Sequence, residues 1–214
     1  MSFAKILKIK NSLFLYIFFL FMITLLSSVA NASKYAAIVI EEATGKVLFS
    51  RNADKLRYPA SLTKIMTLYL LFEDIKSKKI SFKSRIPISK NAASRSPSKL
   101  YLKPGQSISV EQAIYALITK SANDVATAVA EKVSNSERKF ARRMTEKARV
   151  LGMARTQFMN ASGLPNRRQQ STARDMATLA IAIRRDFPEF YKYFSTKSFR
   201  WNGQHFGNHN KLLI

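Results

Sequence analysis

Pro59-Ala60-Ser61-Leu62-Thr63-Lys64-Ile65-Met66-Thr67-Leu68-Tyr69-Leu70-Leu71-Phe72 reads as the head of a long helix of buried character. Proline pre-sets the first turn, and Ile65, Met66 and Leu68 to Phe72 supply a nearly unbroken apolar body. One helical turn separates Ser61 from Lys64, so the two side chains project from the same face. A serine is a poor nucleophile unless an adjacent base takes its proton. An amine serves as that base when burial or neighbouring charge lowers its pKa towards neutrality. The spacing therefore points to serine-lysine acyl transfer. On the tetrad alone, a bland reading fits as well: Ser61 caps the helix and Lys64 is an exposed lysine of its first turn.

Context separates Ser61 from the other matches. Ser-x-x-Lys also occurs at Ser2, Ser96 and Ser136, and Ser-x-Asn occurs at Ser50, Ser89 and Ser121. Ser96 is followed by Pro97 among polar residues and reads as loop. Ser136 heads Glu137-Arg138-Lys139, which reads as a solvated helix face. Ser121-Ala122-Asn123 differs, because it lies between two apolar helical segments. Ser109-Val110-Glu111-Gln112 fits a capping box, and Val110, Ala113, Ile114, Leu117 and Ile118 follow at helical spacing up to about Ser121. Asp124 then suits the positive first turn of another helix, with Val125, Ala126, Ala128, Val129 and Ala130 inward. Ser121 and Asn123 thus sit on a short, rigid link, although both are also ordinary capping residues.

Residues 1–32 read as a secretory signal peptide, with Lys5, Lys8 and Lys10 before an apolar Leu13 to Leu26 and an Ala30-Asn31-Ala32 cleavage site. The apolar run is about 14 residues, short of the roughly 20 that span a bilayer. Export is the expectation, with residues 33–214 forming one domain or an incomplete one. No cysteine is present, which excludes a disulfide framework and thiolate metal sites. His205 and His209 lack the setting of a zinc pair, and no cofactor is indicated. Lys and Arg number 36 against 13 Asp and Glu, a formal +23. This charge is spread from Lys34 to Lys211 with no aromatic-interleaved stripe, so nucleic acid is a poor partner. Such a charge outside the cytoplasm suits anionic lipid headgroups of a membrane surface or anionic wall polymers, or is merely solvated.

Elsewhere, Tyr35 to Ile40 and Val47 to Ser50 read as a β-hairpin with Gly45 in the turn. Thr44-Gly45-Lys46 echoes a phosphate loop but lacks its upstream glycine and its residue order, so it reads as a turn. Ile80 to Gly105 is loop-rich. Arg138 to Leu151 reads as an amphipathic helix with Phe140, Met144, Ala148 and Leu151 inward, stopped at Gly152. Asn160-Ala161-Ser162-Gly163-Leu164-Pro165 is a turn cluster. Ser171 is expected to cap a last long helix, with Met176, Leu179, Ala180 and Ile183 inward, ending near Pro188. Phe194 to Ile214 looks extended and aromatic.

Several extended motifs in order resemble the serine D-alanyl-D-alanine carboxypeptidases, the small penicillin-binding proteins of bacterial envelopes. They are Ala43-Thr44-Gly45-Lys46-Val47-Leu48, Pro59 to Thr67, Pro97-Ser98-Lys99-Leu100, Ser121-Ala122-Asn123-Asp124, Ser162-Gly163-Leu164-Pro165 and Ser171 to Ala177. The resemblance implies an α+β penicillin-binding-protein/β-lactamase-like transpeptidase fold, here a helical part plus the N-terminal hairpin. It also implies roles: Ser61 as nucleophile, Lys64 as base, Ser121 as proton relay, and Asn123 bonded to Lys64 or to the substrate amide. The implied substrate is the peptidoglycan stem peptide, with β-lactams as inhibitors.

The family's third motif, Lys/His-Thr/Ser-Gly, occurs nowhere in the sequence. The expectation is a domain cut short before that motif, as a fragment or as a truncated product. Two other functions compete: a D,D-endopeptidase or β-lactamase of the same superfamily, and a catalytically impaired envelope protein that binds penicillin or peptidoglycan. A class A β-lactamase needs a carboxylate to activate its deacylating water. Between Ser121 and Pro188 the glutamates Glu131 (four before Asn135), Glu137 and Glu146 sit in apparent helices, which lowers that reading.

Overall fold

A computed structural model describes residues 35–213, so the expected signal peptide lies outside the described residues. Strands β1 (Ala37–Ile40) and β2 (Val47–Arg51) pair antiparallel around Gly45, which turns the chain at φ +72°. A short 3₁₀ turn over Ala60–Leu62 then leads into helix α1 (Thr63–Lys76). Met66, Leu70, Leu71 and Phe72 of α1 are fully buried, and Leu68 and Tyr69 nearly so. Burial around most of its circumference explains why its sequence lacks a polar face. Helices α4 (Asn123–Ser134), α5 (Glu137–Val150) and α6 (Ala173–Asp186) pack against α1. They supply Val125, Val129, Phe140, Met144 and Leu179 to a common core.

Ile80–Gly105 is more ordered than expected. It holds strand β3 (Arg85–Pro87) and a single helical turn, α2 (Lys90–Ala93), and β3 pairs with β4 (Ser107–Ser109). A three-residue strand is too short to show a period, and Pro87 argues against it locally. What makes it a strand is remote: Ile86 and Ile108 face each other across the ladder, both fully buried.

Helix α3 (Val110–Tyr115) begins with the predicted capping box, both halves formed between Ser109 and Gln112 at 3.1 Å. It widens into a π-helical stretch over Ala116–Lys120 and stops at Ser121, which is left-handed at φ +55°. The chain's last part is an antiparallel hairpin, β5 (Ser198–Trp201) and β6 (Gln204–Gly207). Phe199 of β5 stacks on Tyr115, and Lys120 lies over the Phe206 ring of β6, so this hairpin backs the segment that ends at Ser121. The three pairs of strands form three separate two-stranded sheets.

Three expectations need correction. Thr172, not Ser171, caps α6, accepting from the Asp175 amide at 3.0 Å. Ser171 is engaged elsewhere: its hydroxyl meets Thr156 Oγ1 at 2.8 Å, and its backbone pairs with Arg57. Ala180 faces solvent while Ala182 is buried, because the stripe that meets the core is Met176, Leu179, Ala182 and Ile183. Glu137 begins α5 one residue earlier than expected and is not on a solvated face. Its side chain is 12% exposed, drawn in by an ion pair with Arg95 at 2.7 Å.

Candidate active site

The site is built at the head of α1. Pro59 sits at φ −70°, and Ala60 takes φ +47°, a left-handed value unusual for a residue with a Cβ. The Leu62 amide donates to the Pro59 carbonyl at 3.1 Å, closing the turn that holds Ser61. Ser61 is exposed, whereas Lys64, one turn later, is 3% exposed. Lys64 Nζ lies 3.4 Å from Ser61 Oγ and donates to the Ser162 carbonyl at 2.6 Å.

Burial is what moves the Lys64 amine, lowering its pKa from an ordinary 10.5 to about 8. With that value about one amine in ten is unprotonated at pH 7, against fewer than about one in a thousand for an ordinary lysine. The neutral amine can hold Ser162 O with one hydrogen and accept a proton from Ser61 on its lone pair. Neither of the bland expectations fits, since Lys64 is not an exposed first-turn lysine and Ser61 makes no side-chain cap.

The carbonyl that receives Lys64 belongs to the turn Asn160–Gly163. Asn160 Oδ1 accepts from the amides of Ser162 at 3.2 Å and Gly163 at 2.7 Å, an Asx-type turn. Thr67, one turn past Lys64 on α1, donates to the Ala161 carbonyl at 2.7 Å. Gly163 is at φ +88°, and a Cβ there would lie 1.8 Å from the Ala60 carbonyl oxygen. Only glycine lets this turn lie directly on the backbone that carries Ser61.

Ser121 is the third candidate. Its left-handed backbone sits between the π-helical stretch and α4, and its hydroxyl is buried with no hydrogen-bond partner among the described residues. Such a group is rare in a folded protein, and the Thr63 hydroxyl of α1 is another. Asn123 stands at the first turn of α4, and its Nδ2 donates to the Ser96 carbonyl at 2.9 Å rather than to Lys64. The Asn123 amide donates to Ser98 O at 2.7 Å, and Ser98 Oγ to Lys120 O at 2.8 Å. Behind them Asp124, fully buried, accepts from the amides of Leu100, Leu102 and Val125. The polar loop 96–102 is thereby fastened to the link that carries Ser121.

Of the four candidate residues, Ser61 and Lys64 are brought into contact, and Ser121 is left with a free buried hydroxyl. Asn123 is engaged with the neighbouring loop. Ser162 and Gly163 were legible as turn residues and as part of a family motif, but not as the partner of Lys64, because a carbonyl acceptor leaves no residue-type signature. Among the described residues no group of three or more His, Asp or Glu side chains could hold a metal ion.

The arrangement has counterparts. Residues 25–214 match the profile of the family described as D-alanyl-D-alanine carboxypeptidase. The D-alanyl-D-alanine carboxypeptidase DacF of Bacillus subtilis (strain 168) is 37% identical over 173 residues, 81% of this chain and 42% of that protein. The fold is similar to penicillin binding protein 5 from Haemophilus influenzae, with a TM-score of 0.80 and 34% identity over 83% of this chain and 53% of that one. It is also similar to penicillin-binding protein D2 from Listeria monocytogenes in its ampicillin-bound form, with a TM-score of 0.74 and 29% identity over 83% of this chain and 73% of that one. The chain spans about half the length, 42–49%, of the curated relatives it matches first. With its profile match, its solved neighbours and a serine-lysine pair at the head of α1, the chain belongs to the D-alanyl-D-alanine carboxypeptidase family.

Proposed function

We propose that this chain acts as a serine D-alanyl-D-alanine carboxypeptidase, removing the terminal D-alanine of peptidoglycan stem peptides in cell-wall biogenesis. One observation carries the reading: a buried amine whose pKa is lowered to about 8 stands 3.4 Å from an exposed serine hydroxyl. Ser61 Oγ attacks the carbonyl of the penultimate D-alanine while Lys64 Nζ takes its proton. The C–N bond breaks, and Ser121 passes the proton to the departing amine of D-alanine. Water then attacks the ester and restores Ser61.

Asn123 keeps one N–H and its amide oxygen available, enough to engage the substrate's peptide group. A β-lactam would enter the same path, its ring amide opening onto Ser61. The ampicillin-bound form of the similar Listeria protein supports that reading. Residues 1–32 would act as the signal peptide that brings the chain to the periplasm or the outer face of the cytoplasmic membrane. There the excess of Lys and Arg in residues 33–214 would favour anionic headgroups and wall polymers.

The test is labelling of the purified chain with a fluorescent penicillin beside Ser61→Ala, followed by D-alanine release from a stem pentapeptide. Labelling of wild type alone, with release of D-alanine, is the expected result. Equal labelling of both proteins ends the acyl-enzyme reading, and labelling without release reduces the function to penicillin binding.

A further inference from the structure

The turn that receives Lys64 is itself held from behind. Glu137 Oε1 accepts from the Ala161 amide at 3.2 Å and from Thr127 Oγ1 of α4 at 3.1 Å, while its Oε2 accepts from Arg95 Nη2 at 2.7 Å. A carboxylate in the first turn of a helix is favourable without any of these partners, so the convergence of three elements on Glu137 calls for another reason. The amide it grips belongs to the residue next to Ser162, whose carbonyl takes the Lys64 amine. The Ala161 carbonyl is fixed from the opposite side by Thr67. Gly163 abuts the Ala60 carbonyl so closely that the turn has no slack towards the serine. Ala161 and Ser162 are thus clamped between α5 and α1.

We propose that Glu137 is a positioning residue for the Lys64 base, acting through the Ala161 amide on the Ser162 carbonyl where the amine rests. The inference rests on the acyl-transfer reading above. The charged group facing Glu137 is Arg95, which also donates to Asn91 Oδ1 at 2.8 Å, and Glu131 lies one link further through Asn91. For Lys64 the perturbing cause is burial alone. A turn released from Glu137 would let water reach the amine, and its pKa would climb back towards the ordinary lysine value.

The experiment is the pH dependence of the penicillin acylation rate in wild type, Glu137→Ala, Glu137→Gln and Ser61→Ala. Glu137→Ala is expected to slow acylation by about 10- to 100-fold, the scale of a misplacement of about an ångström. It is also expected to move the acid limb of the profile upward from the wild-type position. Glu137→Gln keeps an oxygen for the Ala161 amide, and its limb should stay with wild type. An unchanged limb in Glu137→Ala overturns the proposal, as does a limb in Glu137→Gln displaced equally far. If Glu137→Ala is not recovered folded, the near-isosteric Thr67→Val releases Ala161 from its other side. The same upward displacement is expected there, and its absence refutes transmission through Ala161. Ser61→Ala labelled as strongly as wild type removes the acyl-transfer reading itself, an outcome distinct from all of these.

Discussion

Helix α1 buries an amine near its head and a carboxyl near its far end, and the two ends treat them in opposite ways. At its far end Asp74, 3% exposed, is gripped by both terminal nitrogens of Arg143 at 2.7 Å. Glu73 beside it meets Lys147 at 2.6 Å and Arg143 at 3.2 Å. Burial pushes the Glu73 carboxyl up, but Lys147 and then Arg143 outweigh it and hold it below its usual value. The Arg143 guanidinium is pushed up, chiefly by its bonds to Asp74. At the head of the helix Lys64 is equally buried and has only a hydroxyl and a carbonyl for company. Where a counter-charge is supplied, it outweighs burial and holds the charged state. Where only dipoles are supplied, burial drives the group towards neutrality. One end holds the fold, and the other leaves its amine without a counter-charge, as the proposed proton transfer requires.

The contrast is most sharply tested by Lys64→Met. Acylation by penicillin should fall by about 100- to 10,000-fold, the range of general-base catalysis, measured as the rate of fluorescent labelling. The same change should stabilise the chain by about 1–3 kcal/mol at pH 7, since each pKa unit of displacement is worth about 1.4 kcal/mol and a stranded Ser162 carbonyl offsets part of it. The sign follows from the two titrations: the folded amine titrates near 8 and the unfolded one near 10.5. The penalty on the charged form is therefore complete below about 8 and shrinks as pH rises towards 10.5. Denaturation series at pH 7 and pH 10 should show the advantage of Lys64→Met narrowing. An advantage that widens with pH would break the comparison.

At the other end, Arg143→Ala should cost about 3–5 kcal/mol by leaving Asp74 buried without its partner. The fraction that remains folded should label with penicillin at the wild-type rate, because none of these groups touches the serine. Loss of labelling in the folded fraction would show that the two ends are coupled.

The smallest stability effect is expected for Ser121→Ala. Its hydroxyl has no partner among the described residues, so unfolding free energy should move by less than about 0.5 kcal/mol. D-alanine release should fall nonetheless if this hydroxyl hands the proton on. A loss of stability above that scale would mean that Ser121 serves the scaffold rather than the chemistry.

Local features of the fold were legible wherever the deciding partner lay within a few residues. The Ser109–Gln112 capping box, the Gly45 turn and the apolar body of α1 are of this kind, and each forms at the expected place. Legibility fails where the partner is remote. Whether Ser171 or Thr172 caps α6 depends on Thr156, which engages the Ser171 hydroxyl. That Glu137 is drawn inward depends on Arg95, Thr127 and Ala161, 42, 10 and 24 residues away. The site divides in the same manner. Ser61 and Lys64 are paired by helical spacing, whereas the Ser162 carbonyl comes from 98 residues beyond Lys64 and presents only backbone. Side-chain chemistry can be read from composition, but the chain's own carbonyls enter only once it has folded.

The opposite exposures of Ser61 and Lys64 have a consequence for selectivity among reagents. An electrophile approaching this corner meets the exposed Ser61 oxygen first, while Lys64 behind it is almost wholly covered. The chain can therefore keep an amine that is partly neutral near pH 7 covered from acylating reagents. The shielding that weakens its hold on charge is also what keeps it from being acylated in the serine's place.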